Sequence, residues 1–383
     1  MTLLAAALCG CAKDYQTDVP TVNGGANTEI PDGCVPMKIN FSTQADLTRT
    51  SMSGLFTHWT SGDRIGVFSP EAYYQWENAY VSGQLFYNTP SANICLDVAS
   101  GFGTPSATFG PSSIYDDEVI KYTGLWGWNT KFDTHGFYAY YPYVEAAKAL
   151  TPYDAVPFAL PSVQKQSGSG DVGHLAALDF LYASASMEAP EGVADKTPVE
   201  GDVILDFEHA FTLLQMTVRN GLSDSLTVTG IEISSEDAPL AGSCTVDLSS
   251  GAIASGKTLD ASGKIVDAGR SFKSRVEFTD RVRLARSGTA VLSMLVFPGE
   301  HTASGLEITV YTETGMQTFT SKKVLEGGKS YTKTLSVSTS GLKPLPTYEL
   351  QVVDFENVEE DCMAADKGGS NFYTDFAIWE DAG

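Results

Sequence analysis

Apolar and polar residues alternate in many short runs along this chain, and turn-forming residues separate the runs. In LEITVYTETGMQTFT, the apolar positions Leu306, Ile308 and Val310 lie two residues apart, and the alternation resumes beyond Thr314-Gly315. A period of two is typical of a strand with one buried face, so this segment predicts a β-hairpin. Other runs rich in β-branched and aromatic residues predict further strands. They include RIGVFS, GFYAYYPY, DFLYASAS, DVILDFEHAFTLLQMTVRN, LTVTGIEIS and AVLSMLVFPG.

Helical periodicity is weak. No segment keeps a 3.6-residue apolar period over three turns, and VEAAKALTP predicts at most a short helix. Many short strands with regular turn signals favour sandwiches over a doubly wound α/β fold. We therefore expect an all-β protein with two tandem β-sandwich domains of transthyretin-like or Greek-key type, followed by the start of a third β domain.

Two polar, small-residue breaks divide the strands, at residues 188–202 and 338–349. They predict one domain over residues 37–190 and a second over residues 200–340. A fresh strand-like start, LQVVDFENVEEDC, opens the segment 349–383, which has too few residues for a core of its own. We interpret that segment as the beginning of an additional, apparently truncated β domain.

The first residues have the character of a targeting signal. An apolar stretch from Leu3 to Leu8 is too short to span a membrane and runs into Leu8-Cys9-Gly10-Cys11, which resembles the bacterial lipobox. A signal peptide ordinarily begins with a basic n-region, but no Lys or Arg precedes this stretch. The resemblance implies a signal peptide over residues 1–10 and lipidation of Cys11, hence a lipid anchor in the outer membrane at the cell surface. Residues 11–36 are rich in Pro, Gly, Asn, Thr and Asp and predict a flexible tether.

Charge and cysteine usage exclude some functions. The 383 residues carry a formal net charge of −23, whereas a nucleic-acid partner requires clustered Lys and Arg, so we exclude nucleic acid.

Four cysteines remain beside the two of the lipobox, and they are too far apart for a CxxC zinc site. We interpret them as buried or incidental thiols with an open disulfide state, and we predict no metal and no cofactor. These cysteines are Cys34, Cys95, Cys244 and Cys362.

Several stretches stand in the order found in the fimbrillin proteins (FimA-like and Mfa-like) of Bacteroidales. They are TRTSMSGLFTHWTSGDRIGVFS, HGFYAYYPY, a proline within FALPSVQKQ, LDFLYASAS, FEHAFTLLQMTVRN and LEGGKSYTKTLSV. The resemblance covers about residues 36 to 340. It implies a two-domain β-sandwich protein of type V pili (a fimbrium) or a related surface lipoprotein, with a role in cell adhesion and with other pilin subunits as partners.

The same resemblance implies a maturation step. In this family a trypsin-like protease cuts after a basic residue near the first strand, and an extended segment of a neighbouring subunit fills the groove that the removed strand leaves. The candidate cut site here is Arg49, with Lys38 as the competitor; the alternative is that Arg49 is a solvent-facing residue that is never cut. The additional segment from residue 349 favours a tip, accessory or stand-alone subunit over a shaft subunit.

Two motifs suggest small-molecule binding. Residues 251–258, GAIASGKT, satisfy the P-loop pattern, but no helical period follows, which favours a turn between strands. In YTGLWGWNT, Trp126 and Trp128 are flanked by Gly and Asn, as in a loop, and are candidate contacts for a glycan or a host ligand. The alternative is that these aromatic residues belong to a sandwich core.

Catalysis finds little support in the sequence. GxSxG and HExxH motifs are absent, the five histidines are dispersed, and YDDEV at residues 115–119 lacks the spacing of an EF-hand. We therefore predict a protein that is not an enzyme. A short match to an O-glycosylation acceptor, Asp224-Ser225-Leu226, is the remaining motif.

Overall fold

The structure is a computed structural model. It describes residues 30, 32–43, 58–78, 85–88, 91–112, 120–144, 152–189, 191, 199–260 and 262–345. Several predictions therefore fall outside the described residues: the signal peptide with Cys11, most of the tether, the cut site Arg49, Cys362, and the segment 349–383. The YDDEV segment and most of VEAAKALTP also lie outside them.

The described chain is built from strands, and the all-β fold class is confirmed. The first strands are β1 (Cys34–Ser42), β2 (Arg64–Ser69), β3 (Tyr73–Asn78), β4 (Leu85–Asn88), β5 (Ser91–Ser100), β6 (Thr108–Pro111), β7 (Ile120–Asn129), β8 (Thr134–Tyr141), β9 (Val156–Leu160), β10 (Val163–Gln166), β11 (Leu181–Glu188), β12 (Val199–Ile204) and β13 (Glu208–His209). The others are β14 (Thr212–Asn220), β15 (Leu226–Ser235), β16 (Ala241–Val246), β17 (Ile253–Ser255), β18 (Lys257–Leu259), β19 (Ile265–Asp267), β20 (Arg270–Ser271), β21 (Lys273–Leu284), β22 (Thr289–Val296), β23 (Gly299–Thr312), β24 (Met316–Leu325) and β25 (Ser330–Val337).

Within the described residues the helical structure is a single 3₁₀ turn, Gly173–Leu175. No helix there is long and apolar enough to cross a membrane. The chain divides into a compact unit that ends at Leu342 and a second unit, Lys343–Gly383, of which only the first three residues are described.

The first sheet has eleven strands in the order β13-β11-β8-β2-β5-β6-β1-β7-β3-β4, with β12 against β1. Its strands bury one apolar core. Four tryptophans lie in that core, and each large ring removes much apolar surface from water. They are Trp59, Trp76, Trp126 and Trp128.

The second sandwich consists of a five-stranded sheet, β10-β21-β15-β23-β24, and a three-stranded sheet, β22-β14-β25. The predicted hairpin is confirmed as β23 and β24, with Val310 opposite Gln317. Leu306, Ile308 and Val310 all point into the core between the two sheets, as their period of two requires.

The predicted boundary near residues 190–200 does not separate the two sets of strands. β9 and β10, which precede it, pair with β16 and β21, whereas β12 and β13, which follow it, belong to the first sheet. The strand β16 forms a small sheet with β9, β17 and β20. A third core, in which the rings of Tyr140, Phe180, Phe158 and Phe211 follow one another at 5.2–5.7 Å between centroids, joins the strands on both sides.

The three cysteines within the described residues are free. Cys95 and Cys244 are buried, and Cys34 is half-buried. Burial raises the pKa of Cys244 to about 12, so its thiol stays protonated and unreactive. Cys95 and Cys244 are thus buried thiols, as expected, and the role of Cys34 stays a prediction.

Candidate functional site

Strand β1 is held along both of its edges. On one side Met37–Ser42 pair in parallel with β12. On the other side Cys34–Lys38 pair antiparallel with β7, and Phe41 and Ser42 pair with β6. A strand that completes a sheet between other strands in this way satisfies backbone donors and acceptors on all of them.

The inward side chains of β1 fill the first core. Val35, Met37, Ile39 and Phe41 alternate with half-buried or exposed residues and are each 1–6% exposed. Burial of each side chain stabilises the fold by roughly 1.5–3 kcal/mol. The ring of Phe41 lies 5.3 Å from that of Trp126, between centroids, so β1 contributes directly to the aromatic part of this core.

Strand β12 depends on β1. Among the described strands, β12 pairs with β1 alone. One side-chain contact supports this pairing: the Asn40 amide donates to the Asp202 carboxylate at 2.9 Å. Without β1, the backbone groups of Val199–Ile204 that face it would have no partner strand.

Both ends of β1 are fastened by polar contacts. At its start, the amide and hydroxyl of Thr130 donate to the Gly33 carbonyl at 2.8 and 2.7 Å. At its end, the hydroxyl of Thr43 donates to the Pro105 carbonyl and accepts from the Ala107 amide. The strand therefore has a defined register in the sheet.

A buried histidine lies behind the start of β1. The ring of His135 stacks on Trp128 at 3.7 Å between centroids, and its Nε2 accepts the Asn129 amide at 3.1 Å. Asn129 is the register partner of Cys34 in β1. Burial lowers the pKa of His135 from 6.5 to about 4, so the ring is neutral near pH 7 and can accept this hydrogen bond.

Lys38 lies in the middle of β1. Its side chain is exposed, but its backbone stands opposite both Glu200 and Leu125. A protease must draw the cut segment into its cleft as an extended, unpaired chain. Cleavage at Lys38 would therefore require β1 to leave the sheet first. Arg49 lies in the segment 44–57, directly after β1 and outside the described residues.

The prediction that Trp126 and Trp128 lie in a ligand-contacting loop was wrong. Both are in strand β7 and are 2% and 0% exposed. The intervening glycine, which suggested a loop, lies under an aromatic ring instead: a Cβ at Gly127 would be 1.5 Å from Tyr73 Cε1. Glycine in a strand here marks the close approach of a neighbouring side chain.

The P-loop pattern has no phosphate-binding geometry. Ile253–Ser255 and Lys257–Leu259 are strands, Gly256 between them has a φ of +69°, and no helix follows. Lys257 forms an ion pair with Asp267 at 2.6 Å. No group of three or more His, Cys, Asp or Glu side chains in the described part of the chain could hold a metal ion.

Sequence reasoning missed β1 itself. The predicted tether ended at residue 36, whereas the strand begins at Cys34. The signal was present in CVPMKINFS, where Val35, Met37, Ile39 and Phe41 are spaced by two. The Pro, Gly, Asn, Thr and Asp residues of the predicted tether, which ends at Pro36, obscured the start of the strand.

Solved structures similar to this chain share little sequence with it. A candidate cell adhesion protein from Bacteroides uniformis has 15% identity and a TM-score of 0.41, over 82% of this chain and 96% of that one. Another from Bacteroides ovatus has 15% identity and a TM-score of 0.44, over 80% and 94%. The fimbrial anchor protein Mfa2 from Porphyromonas gingivalis has 11% identity and a TM-score of 0.29, over 72% and 78%.

No curated protein matches this sequence. A family model does: the one described as fimbrillin-like matches residues 48–352, which is most of the chain. The match spans the greater part of the first sheet, the small sheet and the second sandwich. The chain therefore belongs to the fimbrillin-like family.

Proposed function

We propose that this chain is a cell-surface subunit of a pilus, with a structural or adhesive role, in which β1 is replaced by an extended segment of a neighbouring subunit. Membership of the fimbrillin-like family supports the pilus role. The observation that carries the exchange is the place of β1, paired on both edges and with four buried side chains along one face.

Proteolysis is the proposed trigger. A cut after Arg49 leaves β1 attached to the rest of the protein by hydrogen bonds and packing alone. Departure of β1 then exposes the backbone edges of β12 and β7 together with the apolar sites of Val35, Met37, Ile39 and Phe41. Such a groove takes another extended segment, whose backbone supplies affinity and whose alternate side chains supply specificity.

The remaining parts of the proposal concern location. Lipidation at Cys11 would hold the uncut protein at the outer membrane, and the same cut would separate the protein from that anchor. The segment from residue 349 favours a tip or accessory position.

The protein would act without catalysis, its partners being other pilin subunits. The alternative, a non-polymerising binder of glycans or host ligands, loses its proposed contacts because Trp126 and Trp128 are buried.

The test is controlled cleavage of the full-length chain by a trypsin-like protease. We expect a new N-terminus at residue 50 and ladders of oligomers that resist detergent until heated. Arg49→Gln abolishes both, whereas Lys38→Gln leaves both intact because β1 protects residue 38. A cut protein that stays monomeric overturns strand exchange, and a Lys38-dependent cut overturns the assignment of Arg49.

A peptide competition tests the groove directly. A peptide of residues 34–42 should suppress the ladders when it is present during cleavage. The matched control carries serine in place of Val35, Met37, Ile39 and Phe41 and keeps every backbone donor and acceptor. Equal suppression by both peptides would mean that the apolar sites do not select the inserted strand.

A further inference from the structure

A cleft lies beside the small sheet, on a part of the molecule that strand exchange does not involve. It has a volume of about 410 Å³, which is within the range of small-molecule sites. Gly242 and Ser243 of β16 form its floor. The chain from Ala159 to Ser162 forms one wall, and Gly269, Arg270 and Ser271 form the other.

Backbone hydrogen bonds fix both walls of the cleft. The Ser162 carbonyl accepts the Arg275 amide at 2.7 Å. On the opposite wall, the Gly269 carbonyl accepts the Ser243 amide at 2.8 Å, and the Ser271 carbonyl accepts the Leu240 amide at 2.8 Å. The backbone of this shallow cleft is therefore formed before any ligand arrives, and little backbone ordering opposes binding.

Gly242 in the floor must remain a glycine. Gly242 has a φ of +114°, and a Cβ there would lie 2.7 Å from both the Arg270 Cα and the Gly269 carbonyl oxygen. Glycine is thus required for β20 to approach β16. The consequence for the cleft is a floor made of backbone and one serine hydroxyl.

Arg270 gives the cleft its charge. Its exposed side chain runs past Gly256, where a Cβ would lie 3.2 Å from Arg270 Cδ, and its guanidinium carbon is 5.6 Å from the centroid of the Phe272 ring. The nearby carboxylate of Asp267 forms an ion pair with Lys257. Lys257 is the main cause of the lowered pKa of Asp267, and Arg270 adds a smaller effect. Among the described residues, Arg270 forms no ion pair, and none that line the cleft carries a carboxylate.

A cleft lined by an arginine and by no carboxylate is unusual in a chain with a net charge of −23. A guanidinium in a preformed cleft matches a planar carboxylate, with which it can form two parallel hydrogen bonds. The hydroxyls of Ser162 and Ser243 can each donate or accept, which suits a ligand rich in hydroxyl groups, whereas the Ser271 hydroxyl is already bonded to the backbone of Lys273. Phe272, 37% exposed beside Arg270, offers an apolar face for the C–H groups of a sugar ring.

We propose that this cleft binds a carboxylate-bearing carbohydrate, with Arg270 on the carboxylate and Phe272 against the ring. The carboxylate belongs to a terminal sialic acid or to a uronic acid within a chain. The two sources share the chemistry that the cleft recognises, and the experiment separates them.

The test is a titration of the full-length protein with sialyllactose, with a glucuronic-acid disaccharide and with neutral lactose. At least one acidic sugar should bind at millimolar concentration, and lactose should bind about tenfold more weakly because it lacks the charged hydrogen bonds. The acidic sugar that binds more tightly identifies the source. Arg270→Gln should lose about tenfold in affinity for it, and Arg270→Lys should lie between.

The matched control is Arg286→Gln, which removes an arginine after β21, away from the cleft, and should leave affinity unchanged. Unaltered thermal unfolding of the variants shows that the fold is retained. Equal binding of lactose, an unaffected Arg270→Gln variant, or binding of neither acidic sugar at millimolar concentration overturns the proposal. The cleavage experiment is independent of this result, since β1 contributes nothing to the cleft.

Discussion

The side-chain amide of Gln164 forms with Leu295 both hydrogen bonds that a neighbouring strand would form. Its Oε1 accepts the Leu295 amide at 3.0 Å, and its Nε2 donates to the Leu295 carbonyl at 2.7 Å. Gln166 repeats the arrangement two residues on, accepting the Ser293 amide and donating to the Val291 carbonyl, both at 2.9 Å. Since β10 also pairs with β21 through its backbone, it links the two sheets of the second sandwich along one side.

Gln164→Leu tests this link. The change keeps the approximate volume but leaves the backbone amide and carbonyl of Leu295 buried without partners, at a cost of about 3 kcal/mol in the free energy of unfolding. Urea unfolding monitored by circular dichroism measures it. The control is Lys165→Gln, which removes only an exposed ion pair with Glu277 and should cost less than about 1 kcal/mol. Equal losses would mean that backbone pairing with β21 alone holds β10.

Phe41→Ala tests how much β1 contributes to the first core. The ring packs against Trp126 and Phe137 at 5.3 and 5.7 Å between centroids, so its loss should lower the free energy of unfolding by about 3–5 kcal/mol. The neighbouring Asn40 points to the other face and bonds to Asp202 at the surface. Asn40→Ala should therefore cost less than about 1 kcal/mol. A small effect of Phe41→Ala would show that this ring contributes little to the stability of the core.

Gly127→Ala tests the packing of a ring on a strand glycine. A Cβ at this position overlaps the Tyr73 ring, which forces the ring or the strand to move, at a cost of about 3 kcal/mol. The double variant Gly127→Ala with Tyr73→Leu should recover part of the loss, because the smaller side chain leaves room for the methyl group. Thermal unfolding of the four proteins forms a double-mutant cycle. Additive losses would mean that the two residues do not interact.

The same pair of residues explains a limit of sequence reasoning. A tryptophan–glycine–tryptophan stretch is typical of a loop until the opposing ring is known, and Tyr73 lies about fifty residues earlier in the chain. Residues that repeat every two positions within one segment, such as Leu306, Ile308 and Val310, were predictable because their period is local. The pairing of β10 with β21 was not, since it joins segments more than one hundred residues apart.

Acid should destabilise the protein through His135. Its pKa of about 4 in the fold lies below the ordinary 6.5, so between these values the unfolded chain binds a proton that the folded protein does not. Stability therefore falls as the pH is lowered from 6.5 to about 4, by up to about 1.4 kcal/mol per pH unit for this group. Burial also lowers the pKa values of His174 and His301, which adds to the effect.

His135→Gln should reduce this slope, because the amide oxygen can still accept the Asn129 hydrogen bond but does not titrate. Urea midpoints measured from pH 4 to pH 8 give the comparison. Val35→Ala loosens packing beside Trp128 without removing a titratable group, so it should lower stability equally at every pH. A slope unchanged in His135→Gln would assign the acid sensitivity to other groups.

The crossing of strands between the two parts of the chain has a consequence for how such proteins can diverge. β9 and β10 are needed by strands that follow them, β11 returns to the first sheet, and β12 and β13 follow it there. A genetic exchange with a relative at any single point between Val156 and His209 would pair at least one strand with a partner from the other parent. Such an exchange would combine strands that did not evolve together, and their pairing would be less stable. The two parts of the chain are therefore expected to evolve as one unit.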